Sequence, residues 1–276
     1  MPELPEVETV KRYLEKNVVN QTIKEVRLFN NKIVKEPEVE KFLNILKGKK
    51  ILKIDRLAKY LFFILDDYVL ISHLRMEGKY FYAKNDDDND IEWKHVMFSF
   101  VFNDGSELRY HDTRKFGTLN LQKISEYKNL KPYLNIGYEP FNSKLTPEFL
   151  QNSWKNKSIS VKTALLDQKI ISGIGNIYAN EILFASKIRP ETPSKKVTLK
   201  QIEDLIEHSK IILLEAIKKG GTTIKSYHSG DGQIGEYKNN LKVHGRIKQN
   251  CFVCNSVINK IQLNGRGTYF CPNCQK

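Results

Sequence analysis

The sequence predicts an α+β protein: an N-terminal antiparallel β-sandwich with flanking helices, then a helical stretch, then a small metal-held β-hairpin. Three observations carry that expectation. Short β-rich runs separated by tight turns fill residues 22–121. Helical spacing takes over after about Lys131. All four cysteines fall between Cys251 and Cys274, in two short pairs.

The first element is a helix over residues 5–19, where Val7, Val10, Leu14 and Val18 recur at spacings of three and four. Pro5 is tolerated there because the first helical residue needs no amide hydrogen. Strands follow at 51–57, 60–65, 68–74, 96–102 and 108–111, with Asp66-Asp67 and Asn103-Asp104-Gly105 as hairpin turns. Strands joined this way suggest a sandwich. The acidic run at 86–90 reads as a solvated loop, facing away from any polyanion the protein binds. Thr146-Pro147-Glu148 supplies a cap, a first-turn proline and a first-turn acid. Thr198 and Gln201 form a capping box, after which Ile202, Leu205, Ile206, Ser209, Leu213, Ala216 and Ile217 share one face. Gly220-Gly221 stops that helix, and residues 222–240, rich in Gly, Ser and Thr, read as a long loop of functional length.

The chain has 276 residues, 40% of them hydrophobic, and a formal charge of +13. Such a charge favours polyanionic partners, although a lysine-rich surface selected for solubility would also produce it. No run of 18 apolar residues occurs, so no membrane span is expected. The start, Met1-Pro2-Glu3-Leu4-Pro5-Glu6, lacks the basic and apolar regions of a signal peptide. A cytoplasmic protein is expected, and in that compartment clustered cysteines point to metal rather than disulfides.

Cys251, Cys254, Cys271 and Cys274 form two C-x-x-C pairs with 16 residues between them, the spacing of a four-thiolate structural zinc site. The competing reading is a redox dithiol. The intervening segment is long enough for a ribbon turning at Asn264-Gly265. Between Cys251 and Lys276 there is no acid, and Arg266 sits between two glycines, free to approach a phosphate closely. Spacing alone fits any zinc ribbon.

The N-terminus carries more specific chemistry. Removal of Met1, favoured by the small Pro2, leaves a free secondary amine. An α-amino group is ~20% unprotonated near neutral pH, against ~0.1% for a lysine. Attack by a secondary amine on a sugar C1′ gives an iminium that is cationic without a proton, a permanent electron sink suited to elimination. The helix start disfavours an ammonium there, while Glu3 and Glu6 pull the other way.

Several motifs occur in order along the chain. They are Pro2-Glu3-Leu4-Pro5-Glu6, Ala58-Lys59-Tyr60-Leu61, His73-Leu74-Arg75-Met76-Glu77-Gly78 and His111-Asp112-Thr113-Arg114-Lys115-Phe116-Gly117. Gly173-Ile174-Gly175-Asn176-Ile177-Tyr178-Ala179-Asn180-Glu181, Gly220-Gly221-Thr222-Thr223 and the cysteine pairs follow. From end to end this resembles the bacterial formamidopyrimidine-DNA glycosylase family. The resemblance implies a bifunctional glycosylase and abasic-site lyase acting on 8-oxoguanine and ring-opened purines in damaged duplex DNA. It also implies a helix–two-turns–helix unit between the sandwich and the zinc finger.

By the same resemblance Pro2 is the nucleophile, Glu3 the acid assisting sugar ring opening, and Glu6 a support of the catalytic centre. Lys59 and Arg266 are assigned to phosphates flanking the lesion and to the elimination steps, and Asn176 to another phosphate. Met76, Arg114 and Phe116 are assigned to filling the hole left by an extruded nucleotide. Read without the resemblance, Met76 and Phe116 are strand residues that belong in the core. Lys157, between two helical stretches, reads either as a backbone contact or as a solvated lysine. His73 and His111, in strand-like segments, read as packing or hydrogen-bonding residues rather than proton shuttles, and Tyr178 equally as core.

The expected domains are residues 1–131 (catalytic), 132–240 (helical, with a lesion-capping loop at 222–240) and 241–276 (zinc finger), in a protein acting as a monomer at the bacterial nucleoid. Two other readings stand beside this one. The related endonuclease VIII type prefers oxidised pyrimidines, but the context of Leu4 and the Arg114/Phe116 pair argue against it. A non-catalytic zinc-ribbon DNA-binding protein explains charge and cysteines, but not the N-terminal motif.

Overall fold

A computed structural model describes residues 1–84, 92–222 and 235–276, in two compact units, Met1–Leu134 and Asn135–Thr222 with Glu236–Lys276. The acidic run at 86–90 and most of the expected capping loop (223–234) lie outside the described residues.

The first unit begins with helix α1 (Leu4–Val18), whose apolar face, Val7, Val10, Leu14 and Val18, is fully buried. One sheet has five strands in the order β2 (Val34–Glu36), β9 (Thr118–Lys123), β5 (Tyr68–His73), β4 (Tyr60–Ile64) and β3 (Lys53–Leu57). The other has four, in the order β1 (Ile23–Leu28), β7 (Val96–Phe102), β8 (Glu107–His111) and β6 (Lys79–Ala83). Alternate residues of β4 face opposite ways, as the pleat requires. Leu61 and Phe63 enter the core shared with Phe98, Phe100, Tyr80 and Tyr110, whereas Phe62 packs outside with Val69, Ile71, Tyr127 and Tyr133. The strands expected from sequence are present: three are trimmed by one or two residues at one end, β7 matches its expected bounds, and β8 begins one residue earlier.

The sequence reading missed β1, β2, β6, β9 and a short helix, α2 (Val39–Leu46). Strand β1, Ile-Lys-Glu-Val-Arg-Leu, lies at a sheet edge and is largely exposed, so its apolar signal is diluted by charge. The sandwich is antiparallel as expected except at one edge, where the short strand β2 pairs with β9 in parallel.

The second unit contains α3 (Pro147–Trp154), α4 (Val161–Leu165), α5 (Asn176–Ala185) and α6 (Leu199–Lys218), ending in the hairpin β10 (Asn259–Leu263) and β11 (Arg266–Phe270). Thr146 caps α3, and Thr198 and Gln201 close the capping box of α6. On α6 the buried face includes Ile212, while Ile217 is only half-buried. Gly220 and Gly221 end that helix at positive φ. Past the undescribed stretch, Tyr237–Asn240 forms a 3₁₀ turn with Tyr237 buried against Tyr178, so this end of the expected loop is packed structure. Among the described residues no helix is long and apolar enough to cross a membrane.

One buried carboxylate joins α5 to the chain entering the ribbon. Glu181, 4% exposed, accepts the N–H groups of Lys242 (2.7 Å), Val243 (3.0 Å) and His244 (2.7 Å). Removing it strands three amides in a protein interior, where each donor left unpaired is costly. Glu181→Ala is therefore expected to destabilise the second unit by ~3 kcal/mol, read as a lower urea midpoint and earlier proteolysis near Val243.

Candidate active site

At the start of α1, Pro2 is half-buried and Glu3 and Glu6 are buried, at 2% and 3% exposure. The Glu3 N–H donates to Glu6 Oε2 at 2.9 Å, and the two residues close a capping box. A carboxylate moved into apolar surroundings is strongly disfavoured. Here the free amides of a helix start supply hydrogen bonds, and the positive end of the helix dipole favours the negative charge. The backbone immediately after Pro2 is thus fixed, while Met1 is exposed.

Lys59 lies with Ala58 in the two-residue turn between β3 and β4, and is itself buried. Arg56 ties this turn to α1. Its Nε donates to Glu8 Oε2 at 2.8 Å and its Nη1 to the Ala58 carbonyl at 2.9 Å. Partial burial would raise the pKa of Glu8, but the hydrogen-bonded Arg56 guanidinium outweighs it and holds that carboxyl below its usual range. The sequence gives no sign of this bridge, because its partners are 48 residues apart.

Met76, Arg114 and Phe116 sit on turns, which corrects the reading of Met76 and Phe116 as strand residues. Met76 follows β5 and is 38% exposed; Phe116 follows β8 and is 52% exposed. The Arg114 guanidinium lies over the Phe116 ring, 4.9 Å from its centroid. Beneath them, fully buried Asp112 accepts the N–H groups of Arg114 (3.0 Å), Phe116 (2.9 Å) and Gly117 (2.8 Å). In the other turn His73 Nδ1 accepts from the Arg75 N–H at 2.9 Å. His73 also meets Tyr60 edge-on and is buried, and half-buried His111 meets Phe81 and His95 edge-on, so both histidines sit in packing or hydrogen-bonding environments as anticipated.

In the second unit α4 and α5 are joined by residues 166–175, with a turn at 167–170 and Gly173 at φ 88°. Asn176 opens α5, and its Nδ2 donates to the Gly267 carbonyl at 3.2 Å. That carbonyl also accepts from Lys162 Nζ at 3.2 Å, and Lys162 donates to Thr268 Oγ1 at 2.7 Å. Lys162 is 1% exposed, and nothing in its spacing marks it. Asn264 in the turn donates to Thr163 Oγ1 at 3.0 Å. The hairpin that presents exposed Arg266 is therefore held by α4 and α5, which brings Asn176 and Arg266 onto neighbouring backbone. Lys157 is half-exposed and lies 3.5 Å from Asp167. Tyr178 is fully buried and belongs to the core of this unit.

The four cysteine sulfurs lie within 4.8 Å of one another, with Cys251–Cys274 at 3.9 Å and Cys254–Cys271 at 3.3 Å. A tetrahedron of zinc–sulfur bonds has an edge of ~3.8 Å, which these separations bracket. The Val253 and Cys274 N–H groups donate to sulfurs at 3.4 Å, supporting thiolate charge. All four thiols are unpaired by disulfides, and the set fits one structural zinc ion with no open coordination position.

A proline-led capped helix, a two-sheet sandwich, a helical unit and a four-thiolate ribbon follow one another, an arrangement that defines a class of multidomain zinc-ribbon protein. Family models match in the same order: the formamidopyrimidine-DNA glycosylase N-terminal domain over residues 1–119, its H2TH domain over 136–228, and the zinc finger found in FPG and IleRS over 249–276. Formamidopyrimidine-DNA glycosylases of Bacillus cereus and Shouchella clausii are 44% and 46% identical, each over all of this chain and 99% of the relative. A Lactococcus lactis Fpg complexed with DNA containing an abasic site superposes with TM-score 0.91 at 38% identity, covering 99% of both chains. The chain belongs to the formamidopyrimidine-DNA glycosylase family.

Two outcomes are expected from this geometry. Cys254→Ser should lose the single zinc, read by atomic absorption, while the first unit keeps its folded spectrum. The second concerns pH. Burial, reinforced by Arg75 and Lys59, lowers the pKa of His73 from 6.5 to about 3, so unfolding releases an imidazole that takes up a proton first. Stability should therefore fall as pH drops through 6.5 toward 3. Between about pH 7.5 and about pH 5.5 the loss through His73 is ~1.4 kcal/mol, and His73→Asn should lose that much less in urea titrations.

Proposed function

We propose that this protein is a base-excision-repair glycosylase and abasic-site lyase that removes oxidised purines, 8-oxoguanine and formamidopyrimidines, from duplex DNA through Pro2. The observation that carries the reading is a proline at position 2, set against the buried, capped start of a helix. Once Met1 is removed, its nitrogen is a secondary amine whose neighbouring backbone is already fixed.

In the proposed sequence, the extruded nucleotide is attacked at C1′ by the Pro2 nitrogen. Glu3 protonates the sugar ring oxygen as the C1′–O bond of the ring opens; the Pro2 nitrogen then gives up its proton and forms the iminium, and the base departs with the glycosidic electron pair and a proton. The resulting iminium withdraws electrons from C2′, whose proton is lost. That loss expels the 3′-phosphate as the C3′–O bond breaks, and loss of the C4′ proton, through the new conjugated double bond, then expels the 5′-phosphate as the C5′–O bond breaks, so that the strand is cleaved by β,δ-elimination. Glu6 keeps the Glu3 backbone in place. Lys59 and Arg266 neutralise the phosphates as they leave, and the amides at the start of α5, beside Asn176, hold another. Met76 and Phe116 wedge the stack open, and Arg114 donates to the orphaned base. Lys157 adds a backbone contact.

The domain division proposed is 1–131 for catalysis, 132–240 for the helical unit with its capping loop, and 241–276 for the zinc finger. The protein acts as a monomer on DNA in the bacterial cytoplasm.

The chemistry has a direct test. Borohydride added during turnover on an 8-oxoguanine duplex should reduce the iminium to a stable adduct, which mass spectrometry places on the N-terminal peptide. An N-terminal extension makes the Pro2 nitrogen an amide, and should abolish trapping while sparing DNA binding. An adduct mapped to Lys59 or another lysine would show that the nucleophile is wrong.

A further inference from the structure

The two turns that carry Met76, Arg114 and Phe116 are separate in sequence, yet they converge on one buried phenol. A Cβ built on Gly78 or on Gly117 would lie 2.0 Å from Tyr110 Oη, so both turns pass the Tyr110 ring with bare backbone. Either substitution forces the ring or the turn to move, because real side-chain carbons do not approach this closely. The phenol is not free to yield. Tyr110 is fully buried, stacks on Phe98 at 5.2 Å and 16°, and leans on Tyr80 at 5.0 Å.

Two further contacts tighten the arrangement. The Thr113 hydroxyl hydrogen-bonds the Glu77 carboxylate, joining one turn directly to the other. Asp112 receives three backbone N–H groups from residues 114–117 and donates its own N–H to the His95 carbonyl at 2.9 Å. A buried carboxylate satisfied by three amides is a strong, directional clamp, and the conformation it selects is the one that exposes Arg114 and Phe116.

We propose that Asp112 and Tyr110 are positioning residues that hold the two turns as one block, so that Met76, Arg114 and Phe116 enter the duplex together. The proposal rests on the assignment of those three side chains to the opened stack. Its physical content is preorganisation. Side chains ordered before binding lose less entropy on insertion than side chains on turns that must order at that moment. Asp112 and Tyr110 touch neither the sugar nor the base, so their effect belongs to entry into the stack and not to elimination.

The experiment uses full-length, zinc-loaded protein and three substrates. They are an 8-oxoguanine·cytosine duplex, the same duplex with 2-aminopurine beside the lesion, and a single-stranded oligonucleotide with an abasic site, which has no stack to open. Asp112→Asn keeps the size of the side chain but loses acceptors for the amides. It should lower kcat/KM on the duplex by roughly tenfold and shrink the 2-aminopurine unstacking signal, leaving single-strand cleavage at the wild-type rate. In an Arg114→Ala/Phe116→Ala background the same substitution should change duplex excision by less than about twofold, because residues acting through one another are not additive. Gly78→Ala should cost more than Met76→Ala, since it displaces Tyr110 and with it both turns.

Wild-type duplex kinetics and fluorescence in Asp112→Asn would overturn the positioning role. So would an equal loss on the single strand, which marks a general folding defect. A Gly78→Ala effect no larger than that of Met76→Ala would overturn the coupling of the turns. An Arg114→Ala/Phe116→Ala protein with unimpaired duplex excision would instead remove the underlying assignment of the wedge.

Discussion

A chain terminus is ordinarily the most mobile part of a protein, and the chemistry proposed at Pro2 requires the backbone there to be held. The capping box of α1 holds it. Burial of Glu3 and Glu6 would be strongly disfavoured elsewhere; at a helix start the carboxylates meet unpaired amides and the positive end of the dipole. The apolar face of α1 then anchors the helix in the sandwich core, so the fixed point is held by the largest hydrophobic cluster of the first unit. Arg56 extends the same anchoring to the turn of Lys59 through Glu8.

Much of this was legible in the sequence wherever the signal is local. The periodicity of α1, the hairpin turns, the caps of α3 and α6 and the cysteine pairs each declare themselves within a few residues. Strands β1 and β2 did not, because a charged edge strand has little alternation to display and its pairing is set by distant partners. Met76 and Phe116 were misplaced for a related reason. Apolar residues beside β-rich runs read as strand continuations, and only the turns stabilised by His73 and Asp112 turn them outward. Lys162 was invisible, since nothing local distinguishes a lysine that ends at 1% exposure from one in water.

Across both units the same division of labour recurs. Each exposed side chain assigned to the duplex sits on a short turn or hairpin, and a polar side chain, from the same turn in the first unit and from a distant helix in the second, fixes the backbone beneath it. Asp112 does this for Arg114 and Phe116, His73 for the turn of Met76, and Lys162 with Asn176 for the hairpin of Arg266. Buried polar groups are costly unless fully bonded, so they select one loop conformation sharply where apolar packing alone would permit several.

The outward placement of Met76 and Phe116 also bears on how the molecule behaves toward copies of itself. Two apolar side chains held rigidly in water form a ready adhesive point, for which a neighbouring molecule has an identical counterpart. The Arg114 guanidinium resting on the Phe116 ring sets a charge at that point, and the formal charge of +13 repels copies at a distance. Both protections are electrostatic, whereas the attraction is not. Concentrated salt shortens the repulsion to a few ångströms while leaving the apolar contact intact, so colloidal stability of the unbound protein is highest in dilute buffer.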